Sequence, residues 1–351
     1  KTITMAQIAK AAGVSQGAIS SLLNDRDYGI RVSEKTRERV FKVCREMGYI
    51  PNDLRAVVRM YPELGDFCLL ISNSIPGGLL NPFVARTVQA ATQAIKDSSH
   101  PLTIAFYNER TDYSSVEIDD LPHPVRAGVT SKFLCYGPPN LSLFQVLTRR
   151  GLPVVSLGYD VPLAGVQSLV PEYPRASRLA IEHLFNLGHQ HIAIVSGPFG
   201  TTDSEIIELH QGVKQAYDEF GVPIEAQNIV YTDLTYEGGK AALDELLGHP
   251  LKASAVFCLG DALAAGVIAR AQERGLQVPA DLSVIGCSDD ACSILTSPSL
   301  TTVHLPAEQM ADTAIHEADR LVREGAPGEP RKQLLPVRLV ERASTAAPKG
   351  K

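Results

Sequence analysis

From about residue 62 onward the chain alternates short apolar runs with helix-length amphipathic stretches, and this alternation constrains its fold more than any other feature. Residues 67–72, 102–107, 132–136, 154–157, 192–195, 229–231, 255–259, 283–287 and 335–340 are strand-sized, and residues 82–97, 173–187, 204–220, 236–247 and 262–273 carry the helical period between them. Apolar strands separated by helices pack as parallel sheets covered on both faces. So many units exceed one compact sheet, which predicts two lobes. A length of 351 residues suits two or three domains. The apolar runs are too short to span a bilayer, so no membrane partner is expected. Lys1-Thr2-Ile3-Thr4 carries no apolar signal core, and this reads as a cytoplasmic protein.

A net charge of −6 argues against a nucleic-acid partner until its distribution is considered. Residues 1–61 hold eleven Lys/Arg and six Asp/Glu, a net +5, which leaves −11 for the remainder. A basic head on an acidic body is drawn to phosphates by one end only. The cysteines at 44, 68, 135, 258, 287 and 292 form no C-x-x-C pair and sit mostly in apolar runs, as reduced core thiols do. No G-x-G-x-x-G, phosphate-binding lysine loop or H-E-x-x-H occurs. His183, His189 and His191 cluster without an acid or cysteine at ligand spacing, and Asp289-Asp290 are adjacent acids on a loop. No catalytic residue, cofactor or metal is therefore expected.

Within the head, Thr4 caps a helix over 5–12, and Gly13-Val14-Ser15 makes a tight turn that caps a second helix over 16–23. The second helix buries Ile19, Leu22 and Leu23 and leaves Gln16, Gly17, Ser20 and Ser21 outside. Ser33 caps a third helix over 34–47, with Val40, Phe41 and Cys44 facing inward. Two helices joined by a glycine turn and braced by a third make a helix-turn-helix, whose second helix reads the major groove. A three-helix bundle without DNA function would show the same pattern; the positive charge favours DNA.

The residues Ile3-Thr4-Met5-Ala6-Gln7-Ile8-Ala9-Lys10-Ala11-Ala12-Gly13-Val14-Ser15, Ile19-Ser20, Leu22-Leu23-Asn24, Val32-Ser33, Thr36-Arg37, Gly48-Tyr49 and Pro51-Asn52 closely resemble the head of the lactose-repressor (LacI) family. The resemblance implies base reading by Gln16, Gly17 and Ser21, and phosphate contacts from Thr4, Ser15, Ser20, Asn24, Ser33, Thr36, Tyr49 and Asn52. Gly17 has no side chain and Ser21 replaces a frequent arginine, so direct readout rests mostly on Gln16, which can bond adenine bidentately. The loop 24–32 is longer than the familiar pattern by about three residues; Arg26 and Arg31 lie in it, within reach of phosphates or simply solvated. Residues 51–61 match the family's hinge helix, which wedges an apolar side chain into the minor groove. Here Val58 holds the wedge position, and Arg55 and Arg59 are alternative grips on the DNA.

The resemblance continues through Asn81-Pro82-Phe83, Leu187-Gly188-His189, Ser196-Gly197, Gly260-Asp261, Val278-Pro279, Ile285-Gly286 and Ser297-Pro298, which are similar to the family's periplasmic-binding-protein-like body. It implies a ligand cleft between the lobes. Carried over one position at a time, the sugar-binding set largely fails. Ser72 is kept. Tyr136, Gly158, Leu209, Leu234, Gly260 and Ser288 stand where polar or charged groups, or an aromatic platform, are usual. Tyr159, Asp160, His210, Tyr236 and Asp289 are the candidate replacements. A cleft of this make-up suits an effector other than a typical free sugar, or none.

The expected fold class is α/β: an N-terminal three-helix helix-turn-helix head and a two-lobed periplasmic-binding-protein-like body with parallel sheets. The expected domains are residues 1–50 (head), 51–61 (hinge) and 62–351 (body). Within the body, the N-lobe covers about 62–161 plus 304–330 and the C-lobe about 162–303 plus 331–342. The expected function is a sequence-specific transcription regulator, a homodimer on a double-stranded palindromic operator, with affinity set by a small molecule in the cleft. The alternatives are a DNA-binding or architectural protein without an effector, and a small-molecule sensor without DNA function.

Overall fold

The computed structural model of the protein describes residues 3–24, 32–49, 57–58, 60–96, 100–117, 120–198, 203–248 and 253–349. The head comprises α1 (Met5–Ala12), α2 (Gln16–Asn24) and α3 (Glu34–Met47). Each starts where a side chain accepts a backbone N–H that the helix itself cannot satisfy. Thr4 and Gln7 form a reciprocal capping box. Ser15 Oγ accepts from Ala18 N at 3.1 Å, and Ser33 Oγ accepts from Thr36 N at 3.3 Å. Gly13 closes α1 in the left-handed region, at φ 63°. Ile8, Ala9, Ala12, Ile19, Leu22, Leu23, Val40, Cys44 and Met60 form a core of their own, with Phe41 packed at its edge.

The body is built on two six-stranded sheets. The first contains β1 (Asp66–Ser72), β2 (Leu102–Tyr107), β3 (Thr130–Tyr136), β4 (Val154–Leu157), β5 (Val166–Pro171) and β11 (Arg331–Leu335), in the order β11-β5-β4-β3-β1-β2 and parallel throughout. The second contains β6 (Ile192–Ser196), β7 (Ile229–Tyr231), β8 (Ala255–Cys258), β9 (Ser283–Ser288), β10 (Thr301–His304) and β12 (Arg338–Val340), in the order β12-β10-β9-β8-β6-β7, with β12 alone antiparallel. Helices α4 (Pro82–Ala94) and α12 (Ala307–Glu324) pack together in the first lobe. Between them in sequence lie α5 (His123–Ala127), α6 (Leu141–Arg149), α7 (Tyr173–Asn186), α8 (Ser204–Phe220), α9 (Tyr236–Gly248), α10 (Asp261–Glu273) and α11 (Cys292–Leu295). Helices α9 and α10 cross at glycines: a Cβ on Gly266 would lie 2.0 Å from the Tyr236 carbonyl oxygen, and one on Gly239 2.1 Å from that of Leu263. Among the described residues no helix is long and apolar enough to cross a membrane.

Two strands, β5 and β10, were not expected from the sequence. The single run expected at 335–340 is divided between β11 and β12, which lie in different sheets. Pro336, between them, supplies no N–H to a ladder and ends the first strand. The lobe boundaries shift accordingly. The chain crosses after β5, after β10 and after β11, because β5 and β11 hydrogen-bond into the first sheet. Residues 166–171 and 331–335 therefore belong to the first lobe, not the second.

Candidate DNA interface and inter-lobe cleft

The starts of α1 and α2 lie side by side. Thr4, Met5, Ala6, Gln16, Gly17 and Ser20 line a shallow concavity there. Gln16 is exposed at the first turn of α2, while Gly17, Ser20 and Ser21 are partly covered. Two helix N-termini opening on one surface present unpaired backbone N–H groups and positive dipole ends, which suit phosphate. On the flank, the Ser33 and Thr36 hydroxyls bond to each other at 2.9 Å. Tyr49 N donates to the Cys44 carbonyl, and burial raises the Tyr49 phenol above its ordinary range. Burial also pushes the Cys44 thiol up to about 11, as for an inert core thiol. Arg31, Asn52 and Arg55 lie outside the described residues, as does the side chain of Asn24.

Val58 is only 6% exposed. It packs beside Gly65, where an added Cβ would come within 3.0 Å of Val58 Cγ1. The side chain expected to wedge into DNA is thus covered by the body in this structure. The segment after it is clamped from two sides. Arg45 of α3 donates to the Met60 carbonyl at 2.9 Å. Ser131 Oγ donates to the Pro62 carbonyl at 2.5 Å, and Lys132 Nζ donates to Glu63 and Gly65 carbonyls at 2.8 and 3.1 Å. Lys132 is fully buried, lies 3.4 Å from Asp319 Oδ1 and stands over the Phe67 ring. Burial lowers its pKa, partly offset by Asp319. Sequence reasoning missed it; its only signal was a lysine inside the apolar run 132–136.

The cleft candidates are scattered in their roles. Ser72 Oγ donates to Glu109 Oε2 at 3.1 Å. Tyr136 stacks on Phe83, with ring centroids 5.8 Å apart. Tyr159 Oη donates to both carboxylate oxygens of Asp203 at 3.3 Å, and Asp203 in turn caps α8. Leu209 is buried in the body core, and Leu234 is 38% exposed. Ser288 Oγ donates to Asp290 Oδ2 at 2.7 Å. Asp289 turns its carboxylate to Arg342 at 2.5 Å and His304 at 3.0 Å. Burial raises its pKa, but these hydrogen bonds outweigh burial and hold it below the usual range. Asp160 pairs with Lys332 at 3.1 Å, His210 Nε2 lies 2.7 Å from Ser196 Oγ, and Tyr236 is exposed near Lys240.

Two features of the cleft were not read from the sequence. Arg86, on α4 of the first lobe, donates to the carbonyls of Ser288 and Leu305 at 2.7 and 3.1 Å. It also grips Glu308 with two bonds of 2.8 Å and lies 3.4 Å from Asp290 Oδ1. Ser288 ends β9 in the second lobe and Asp290 follows it, so one guanidinium ties the lobes together. The other feature is Glu205, in the first turn of α8, whose pKa is raised to about 8 by burial and then by Asp203 and Asp290.

Residues 4–52 match the family of bacterial regulatory proteins named for lacI, and residues 181–345 match a periplasmic binding protein-like domain. The HTH-type transcriptional regulator DegA of Bacillus subtilis is 30% identical over 347 residues, covering 98% of each chain. The chain belongs to the LacI family. A second relative of that type, the HTH-type transcriptional repressor PurR of Yersinia pestis, is 28% identical over 345 residues, 98% of this chain and 97% of its own. Among solved structures, a complex of the transcriptional regulator CelR with cellobiose superposes with a TM-score of 0.68 at 26% identity, covering 97% of this chain and 99% of that one. As a LacI-family member the chain is a DNA-binding transcriptional regulator with a periplasmic binding protein-like domain, and not an enzyme.

Proposed function

We propose that this LacI-family regulator binds a two-fold double-stranded operator as a homodimer in the cytoplasm, and that a small molecule between its lobes sets the operator affinity. The observation that carries the reading is a continuous mechanical path. Arg86 bridges the lobes beside the cleft, and Ser131 and Lys132 bind the first lobe to the segment that leads into the head. A ligand that prefers one lobe arrangement shifts head placement by its differential affinity. The test is operator affinity with and without a compound that raises the thermal stability of the body. A stabilising ligand that leaves operator affinity unchanged would count against the coupling.

Gln16, Gly17 and Ser21 are the proposed base readers, and Thr4, Ser15, Ser20, Asn24, Arg31, Ser33, Thr36, Tyr49, Asn52 and Arg55 the proposed backbone contacts, with Val58 as wedge once released from the body. Replacing Gln16 by alanine is expected to relax the preference at one base pair per half-site by about 1–3 kcal/mol. Binding to operators varied at single positions checks this, and unchanged selectivity would misplace the reading helix.

Apolar surface supports the dimer. Leu80 is 88% and Leu295 79% exposed, with Leu79 and Ile294 beside them. The first pair directly precedes the helix that carries Arg86, and the second follows Asp290, which Arg86 reaches, so both flank the same bridge. A Leu80→Asp/Leu295→Asp double variant is expected to be monomeric by light scattering. Its operator affinity should fall about 100-fold, the low end of the avidity gain from linking two sites. A variant that stays dimeric would place the interface elsewhere.

An effector-free regulator is the second reading. Its support is that Leu209 is packed into the core and that Asp289 is occupied by Arg342 and His304.

A further inference from the structure

A guanidinium carries five N–H donors in a rigid fork, and Arg86 commits all of them. From α4 of the first lobe, Nε and Nη2 grip the Glu308 carboxylate at 2.8 Å each, which aims the group from its own side. Nη2 also donates to the Leu305 carbonyl at 3.1 Å, in the crossing segment after β10. Nη1 reaches into the second lobe, to the Ser288 carbonyl at 2.7 Å and to Asp290 Oδ1 at 3.4 Å. The Arg86 side chain is 15% exposed and that of Asp290 9%, so water competes little for these bonds. The turn that Arg86 grips is itself strained. Among the described residues, Ser288 at φ 131° and Asp289 at φ 58° are the two non-glycine positions with positive φ. Such backbone persists where its surroundings over-determine it. The second lobe supplies three restraints: Asp261 Oδ2 accepts from Asp290 N at 2.7 Å, and Arg342 and His304 hold the Asp289 carboxylate. The fourth, Arg86 on the Ser288 carbonyl, comes from the first lobe.

A second bond crosses between the lobes elsewhere. Tyr159 follows β4 in the first lobe, is buried, and donates to Asp203, the N-cap of α8 in the second. At both points a group of one lobe bonds directly to a group of the other, so the protein's own side chains hold the lobes together. Hydrogen bonds weaken steeply with misalignment, so such contacts are made or lost rather than stretched.

We propose that Arg86 and Tyr159 form a two-point latch between the lobes, and that its release relaxes the Ser288-Asp289 turn and moves the lobes to a second arrangement. The proposal rests on the effector reading above and names the contacts against which an effector's differential affinity works.

The test uses the full-length chain with a nitroxide on each lobe, at Arg110→Cys and Gln211→Cys, both exposed. Cys292→Ser removes the half-buried thiol, and the other cysteines are buried. Pulsed EPR reads the distance between the lobes. Tyr159→Phe removes one hydroxyl, and Arg86→Gln removes the charged fork. The double variant is expected to melt cooperatively, with its mean distance shifted by several ångströms and its distribution broadened. Arg86→Lys should behave as Arg86→Gln does, because one ammonium cannot grip Glu308 and reach both Ser288 and Asp290. Operator affinity of the double variant should differ from the wild type by about fivefold or more, the low end of coupling between linked sites. An unchanged distance and width in the double variant would overturn the latch and leave the effector reading standing. A wild-type distance distribution for Arg86→Lys would overturn the forked geometry assigned to it. A shifted distance with unchanged operator affinity would uphold the latch and overturn the coupling on which the effector reading depends.

Discussion

An Ile19→Asp chain is expected to lose operator binding altogether while its body unfolds at the wild-type temperature. Ile19 has no exposed surface and belongs to the head core, which draws residues from all three helices. A carboxylate there is left without a cation or donor, at a cost of several kcal/mol or more. A unit of about 50 residues has little stability to spare. The body has its own apolar clusters and shares none of these residues. Fluorescence anisotropy should show a loss of at least 100-fold in affinity, about 2.8 kcal/mol. Calorimetry should show the body transition in place. Undiminished binding would mean that α2 is not packed as described; loss of the body transition would mean that the two parts do not fold independently.

Lys132→Met is expected to act from the other end of the same connection. Lys132 Nζ is the donor to two linker carbonyls and the cationic neighbour of Asp319. Methionine keeps the packing against Phe67 but leaves these acceptors unserved inside the protein. Breaking a buried pair of this kind costs about 3 kcal/mol, reduced where one partner is partly exposed, as Asp319 is. The body melting temperature should fall by several degrees. Operator affinity should fall as well, because residues 62–65 no longer hold the head at a fixed distance from the first lobe. An unchanged melting temperature would show that the lysine contributes little. A lower one with unchanged operator affinity would make its role structural only.

The parts of this molecule that were legible in its sequence are those specified locally. Thr4, Ser15 and Ser33 announce helix starts because a cap needs one side chain and the next few N–H groups. The runs at β1, β3, β6 and β8 announce themselves by being apolar on both faces. Strand β10 did not, because Thr301-Thr302-Val303-His304 is short and polar at all but Val303, and its burial comes from neighbours on either side. Residues 335–340 read as one strand because hydrophobicity is continuous there; the break depends on Pro336 and on two sheets separated by the cleft. The cleft itself is the least legible part. The partners of Arg86 lie more than 200 residues away, at Ser288, Leu305 and Glu308. Glu205 looks like an ordinary first-turn helix acid until the first lobe is folded against that end of α8, where Tyr159 bonds Asp203. Asp289 looked available as a ligand for the same reason, since His304 reaches it through the pairing of β9 with β10, and Arg342, just after β12, through the pairing of β12 with β10.

The central claim, specific binding of a two-fold DNA site by a dimer, is tested most directly by selecting tight-binding duplexes from a randomised pool with the full-length chain and measuring the affinity of the winners at two salt concentrations. The predicted result is a palindromic consensus whose half-sites lie about one helical turn apart, with affinity falling steeply as salt rises. A pool that converges on no sequence, or on a single unpaired half-site, would contradict it.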